Sequence, residues 1–102
     1  MPRFVLLSTL TPEGRKTLHQ HPERIQSVDT EIQTFECEVV DQYAVLGPYD
    51  FVTIVEAPDN ETVAHLAVDL GSRGTVNVMT LSAISIDAFT AQLERSEQLG
   101  HS

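Results

Sequence analysis

Three short stretches of this chain, residues 4–10, 51–56 and 75–84, place apolar side chains on both alternations of an extended backbone. A strand with one wet face alternates apolar and polar residues, whereas a strand covered on both faces does not. In residues 51–56, Phe51 and Val55 oppose Val52 and Ile54; in residues 75–84, Val76, Val78 and Ile84 oppose Met79, Leu81 and Ala83. Residues 35–46 read differently. Cys37, Val39, Tyr43 and Val45 share one alternation, while Glu36, Glu38, Val40 and Gln42 lie on and near the other. That is an amphipathic edge strand with an irregularity at Asp41.

The segments between these strands carry helical signals. Thr11 is placed to cap a helix with Pro12 at its first position, although Gly14 in the first turn is a weak helix former. Leu18, His21, Ile25, Val28 and Ile32 then recur at spacings of 3 and 4, so one face points inward, His21 included. Pro22 removes a donor and crowds the preceding turn, which predicts two helical pieces. Gly47-Pro48-Tyr49-Asp50 is a turn joining two strands into a hairpin. Asp59 or Asn60 caps a second helix with Val63, Leu66, Ala67 and Leu70 on its stripe, ended by Gly71 or Gly74. Ser85 or Asp87 caps a last helix from residue 88 to about 99, where Phe89 and Leu93 are sparse, before a tail expected to fray.

The order is β-α-β-β-α-β with an extra C-terminal helix, an α+β ferredoxin-like arrangement with helices on one face of a four-stranded antiparallel sheet. A chain of 102 residues, 41% hydrophobic and 21% charged, suits a single domain over residues 1–102 with a small core. Two amphipathic helices cover one sheet face. The second apolar face needs another cover, and the last helix offers too few apolar residues to supply it. The simplest cover is the same face of a second copy across a twofold axis.

Six Lys and Arg against 15 Asp and Glu, a formal charge of -9, argue against nucleic acid, whose phosphates are bound mainly by basic side chains. No apolar run is long enough to span a bilayer, and the apolar start reads as a first strand rather than a leader. The single cysteine, Cys37, can form no internal disulfide, which fits a reducing cytoplasm. Flanked by Glu36 and Glu38, it is expected to be core and a poor nucleophile. No hydrolase elbow, dinucleotide fingerprint or phosphate loop is present in the sequence.

The polar positions that could build a site are few. Tyr49 and Asp50 lie at the hairpin turn, where they either meet a ligand or serve the turn itself. Glu56 ends the third strand, where it is either a carboxylate placed beside an apolar sheet for proton transfer or a solvated strand end. His21 lines a cavity beside Tyr43 if its helical face points inward. His19 and His21 lie about 200° apart on a helix and lack a third ligand of suitable spacing, so no metal is expected. His65 and Asp69 form an i, i+4 pair at the surface.

Leu46-Gly47-Pro48-Tyr49-Asp50-Phe51-Val52, then Ile54-Val55-Glu56-Ala57-Pro58-Asp59, then Leu70-Gly71-Ser72 with Gly74 and Val76 resemble the GYD-domain family of small bacterial and archaeal proteins. The resemblance runs from Phe4 to about Ile84 and includes Pro22 and Arg24. It implies a ferredoxin-like subunit of the dimeric α/β-barrel kind, paired sheet to sheet, and implies no activity. Members often carry a glycine pair before the second strand, where this chain has Phe35-Glu36, and basic residues on the fourth, where it has Asn77 and Ser82. Asn77 joins the candidate ligand-binding set on that basis.

Taken together, the residues point to a cytoplasmic homodimer or larger homo-oligomer acting as a small-molecule-binding or accessory protein, with an apolar or aromatic ligand, no cofactor and no membrane or nucleic-acid partner. The alternative is a cofactor-independent oxygenase or isomerase using His21, Tyr49, Asp50 or Glu56 around an apolar pocket. Light scattering at micromolar concentration is expected to report at least two subunits per particle. A stable single subunit would refute the face count.

Overall fold

Pro22 divides the first helical region as its chemistry demands. In the computed structural model, which describes residues 1–95, the elements are β1 (Arg3–Leu10), α1 (Pro12–Gln20), α2 (Arg24–Gln33), β2 (Glu38–Ala44), β3 (Phe51–Glu56), α3 (Asn60–Ser72), β4 (Val76–Ala83) and α4 (Ile86–Leu93). The strands form one antiparallel sheet in the order β2-β3-β1-β4, the ferredoxin-like arrangement with β2 and β4 at the edges. The register between β2 and β3 shifts between Val39 and Asp41, a bulge where the alternation of the sequence falters.

The pairings sort the side chains into two faces. Phe4, Leu6, Val55 and Thr53 share the alternation that faces the helices, and all are buried. With Ile32 from α2, Cys37, Ala57, and Val63, Leu66 and Leu70 from α3, they make the core. Val5, Leu7, Val52, Ile54, Met79 and Leu81 share the opposite alternation. Across one row of that face run Tyr43, Val52, Leu7 and Met79. Met79 is 50% exposed and Leu81 44%, while Ile86 and Leu93 of α4 are 74% and 68% exposed. α4 therefore leaves the open face uncovered.

Side chains in the expected places start three helices. Thr11 Oγ1 accepts from Gly14 N–H at the start of α1, Asp59 Oδ1 from Thr62 N–H at α3 (2.8 Å), and Ser85 Oγ from Ala88 N–H at α4 (3.1 Å). The paired hydrogen bonds from Thr62 hold the Asp59 carboxyl below its usual range. Arg73, just past α3, pairs with Asp69 at 2.9 Å and with Glu31 of α2 at 2.6 Å, tying the two helices together. The last helix starts at Ile86, two residues before the expected start, because Ser85 caps it, and ends at Leu93 with Glu94 as its C-cap, short of the expected end near residue 99; the tail lies outside the described residues.

Three expectations need correction. Residues 34–36 are a turn and β2 starts only at Glu38, not at Phe35, and Glu36 in that turn has φ 61. A left-handed residue cannot continue into a strand, and Glu36 holds that conformation where the resemblance places glycine. His21 does not join the inward face. It lies between α1 and α2, exposed, with Nδ1 3.2 Å from Glu23 Oε1, because the Pro22 break resets the helical rotation. His65 and Asp69 do not pair: Asp69 is taken by Arg73, and the His65 ring meets Phe35 edge-on at 5.0 Å.

Gly14 is buried, and the reason is a close approach rather than a turn. A Cβ built there would lie 1.9 Å from the Thr75 carbonyl oxygen, the same oxygen that accepts from Thr11 N–H at 3.0 Å. Alanine would favour the helix by about 1 kcal/mol. Overpacking against rigid backbone outweighs that gain, so Gly14→Ala is expected to lower stability by about 2 kcal/mol net in urea unfolding. A variant as stable as the parent would remove this close approach from the account.

Candidate functional site

The six polar positions singled out from the sequence divide between several places. Tyr43, Glu56 and Asn77 share the open alternation, opposite Val52, Arg3 and Thr9 respectively. Tyr49 reaches the same face, its hydroxyl donating to Met79 Sδ at 3.6 Å. Glu56 faces Arg3 at 3.8 Å in a half-exposed pair, an interaction worth little in water. Glu56 and Asn77 stand at opposite ends of the face, with rows of apolar side chains between them.

Asp50 serves the backbone. Its N–H donates to Ser8 carbonyl at 2.8 Å, its carbonyl accepts from Val45 N–H at 2.9 Å, and its Oδ2 accepts from Leu10 N–H at 2.7 Å. β3 begins at Phe51, so the carboxylate takes over as acceptor where the ladder beside β1 has run out. Asp50 thus serves the turn itself and, beyond it, the end of the first strand. His21, on the helix side of the molecule, touches none of the other five. Cys37 is buried, and burial, with Glu36 and Asp59 adding to it, pushes its thiol pKa up.

The helix side holds a different set. A cavity of about 140 Å³ lies between α1, α2 and the sheet, walled by Leu18, Ile25, Val28, Phe51, Leu70 and Val78 among others. None of His21, Tyr43, Tyr49, Asp50, Glu56 or Asn77 lines it. Its charged residues are Asp29 and, on the α2 side, the exposed Arg24, and its neutral polar residues include Gln42, Thr53 and Ser8. Gln42 and Thr53 are cross-strand partners, with Gln42 Nε2 donating to Thr53 Oγ1 at 3.3 Å, and Gln42 also bonds the Asp29 carboxyl. Asp29 Oδ1 is buried, and among the described residues no donor reaches it.

Sequence reasoning passed over this group, though a signal was present. Asp29 stands four residues after Ile25 and three before Ile32, within the inward stripe, and Thr53 interrupts an otherwise apolar strand. A polar residue on an apolar stripe marks either a satisfied network or a site. Here the network is one donor short.

A family model described as GYD domain matches residues 4–93. The chain belongs to the GYD-domain family. This GYD-domain chain is similar to a Thermus thermophilus protein named glutamine synthetase and cystathionine beta-lyase binding protein, 53% identical over 95 residues that cover 92% of this chain and 100% of the relative. Among solved structures, MtbAldR superposes with a TM-score of 0.63 at 21% identity, over 82% of this chain and 52% of that one. The GYD-domain chain thus spans about half the length of MtbAldR. TTHA0845, also from Thermus thermophilus, superposes with a TM-score of 0.55 at 24% identity, over 83% of this chain and 95% of that one. At such identities the two structures speak for the fold alone. Among the described residues no helix is long and apolar enough to cross a membrane, and no three His, Cys, Asp or Glu residues gather closely enough to hold a metal ion.

Burial raises the Asp29 pKa, partly offset by the Gln42 hydrogen bond. The folded chain then keeps this proton to higher pH than the unfolded chain. Between the two pKa values the folded state binds more protons, so stability falls as pH rises through that window. Asparagine does not titrate. The stability of Asp29→Asn relative to the parent is therefore expected to grow as pH rises from about 4 and then to level off. Urea unfolding across that range checks it, and a flat or opposite trend contradicts the raised pKa.

Proposed function

We propose that this chain is a non-catalytic accessory protein that pairs with itself through the open sheet face and docks onto metabolic enzymes, glutamine synthetase and cystathionine beta-lyase first among them. The observation that carries the reading is the 53% identity to a relative named for binding those two enzymes, extending over the whole of that relative. Two physical features support it. The polar side chains that would serve catalysis are dispersed: Glu56 and Asn77 stand at opposite ends of the sheet, Asp50 is occupied by backbone, and His21 lies on the other side. The apolar surface is plentiful, with Met79 and Leu81 on the sheet and Ile84, Ile86, Phe89 and Leu93 in and beside α4 all exposed. Patches of this kind are the raw material of protein interfaces.

The division of labour follows from symmetry. A self-complementary sheet face suits a twofold partner, which leaves α4 and the acidic exterior for a different protein. The formal charge of -9 favours a partner with a basic surface and gives association a salt dependence. A cytoplasmic setting follows for a protein whose partners are cytoplasmic enzymes. The oxygenase or isomerase alternative required a pocket holding at least two of His21, Tyr49, Asp50 and Glu56, and the helix-side cavity holds none.

Isothermal calorimetry of the full chain against glutamine synthetase and cystathionine beta-lyase from its own source is expected to give a Kd of about 10 µM or tighter for at least one, near −7 kcal/mol. No heat and no co-migration with either enzyme at about 100 µM would refute the docking role.

A further inference from the structure

We propose that the cavity between α1, α2 and the sheet is a binding site for a small primary amine, an apolar body of benzene-like size ending in one ammonium group seated on Asp29. The proposal is independent of enzyme docking, since the cavity lies on the opposite side of the sheet from the open face. Its size sets the body: a cavity of about 140 Å³ is close to that which accommodates a benzene ring in an engineered protein core. Its walls set the character, because Leu18, Ile25, Val28, Phe51, Leu70 and Val78 offer nothing to a polar molecule over most of its surface.

The head group is set by what the protein leaves undone. Buried carboxylates are normally satisfied by donors, and leaving an acceptor unpaired away from water costs about 1–3 kcal/mol. The Gln42 amide serves Asp29 and Thr53 Oγ1, and no described donor reaches Asp29 Oδ1. A guest that brings an N–H completes the network. An ammonium group does so best, because it adds opposite charge to the carboxylate and shortens the bond. Ser8 and Thr53 hydroxyl oxygens lie on the same sheet face and offer acceptors for its remaining hydrogens: Ser8 follows Leu6 by two residues, and Leu6 pairs with Thr53. A carboxylate guest would meet Asp29 as a like charge, and Arg24, the cation of the lining, is exposed to water, where its pull on an anion is screened, whereas Asp29 Oδ1 is buried.

The test uses the full chain and three compounds of one shape: benzylamine, benzyl alcohol and benzoate. In methyl-detected NMR, benzylamine is expected to shift Ile25, Val28 and Val78 and to saturate in the millimolar range, the affinity proper to a ligand of about eight heavy atoms. Benzyl alcohol is expected to bind about tenfold more weakly and benzoate not at all. Asp29→Asn, which keeps the side-chain shape, is expected to weaken benzylamine about tenfold, and Val28→Phe to abolish binding by filling the cavity. The proposal is overturned if benzylamine shifts only open-face methyls such as Val5 and Leu81, or none. It is likewise overturned if benzoate binds as well, or if folded Asp29→Asn or folded Val28→Phe binds benzylamine like the parent.

Discussion

The architecture depends on the central position of β1. It pairs with β3 along one side and β4 along the other, so every strand contact of the sheet's middle passes through residues 3–10. A strand flanked on both edges and apolar on both alternations cannot be placed at a surface. Its helix-facing residues Phe4 and Leu6 are among the most buried in the molecule. Its other alternation, Val5 and Leu7, reaches only as much cover as a single layer of strands provides. One layer of helices and one exposed layer of sheet follow directly.

This asymmetry separates two kinds of chemistry. The open face is broad, apolar and rimmed by isolated polar groups, properties suited to contact with a surface. The helix face lines a small volume in which Asp29 and Thr53 are joined through Gln42, properties suited to a molecule. Asp50 and Asp29 illustrate the contrast within one residue type. The first is held by an amide where a strand ends, and its role is spent on the backbone. The second is half-buried beside empty space, with its Oδ1 buried and unserved.

Much of the fold was legible because it rests on local rules. Pro22 broke the helix, Thr11, Asp59 and Ser85 capped as their side chains allow, and the bulge fell where the alternation faltered. What was not legible depended on approach in space. Gly14 reads as a weakness until the Thr75 carbonyl is seen against it. His21 falls on the inward stripe only by a periodicity that Pro22 has already interrupted. Residues 35–37 alternate like a strand, yet Glu36 turns the chain with a positive φ that composition does not announce. The site suffered most, because polar types draw the eye at strand ends and turns. Asp29 sits inside an apolar helix stripe, where periodicity alone makes it one more inward position.

The anchorage of α1 has a mechanical consequence. At its N-terminus Thr11 is fastened twice to the loop entering β4, through its amide to the Thr75 carbonyl and through its hydroxyl to the Gly74 carbonyl at 2.8 Å. Gly14 is seated against the same backbone. At the other end, the joint at residues 21–23 carries an exposed histidine and a proline in place of a continuous helical ladder. The limb is thus clamped at its root and bent at its elbow, where Arg24 N–H on the His21 carbonyl and Ile25 N–H on the Pro22 carbonyl close the corner, so the direction of α2 is set by that corner and not by a continuation of α1.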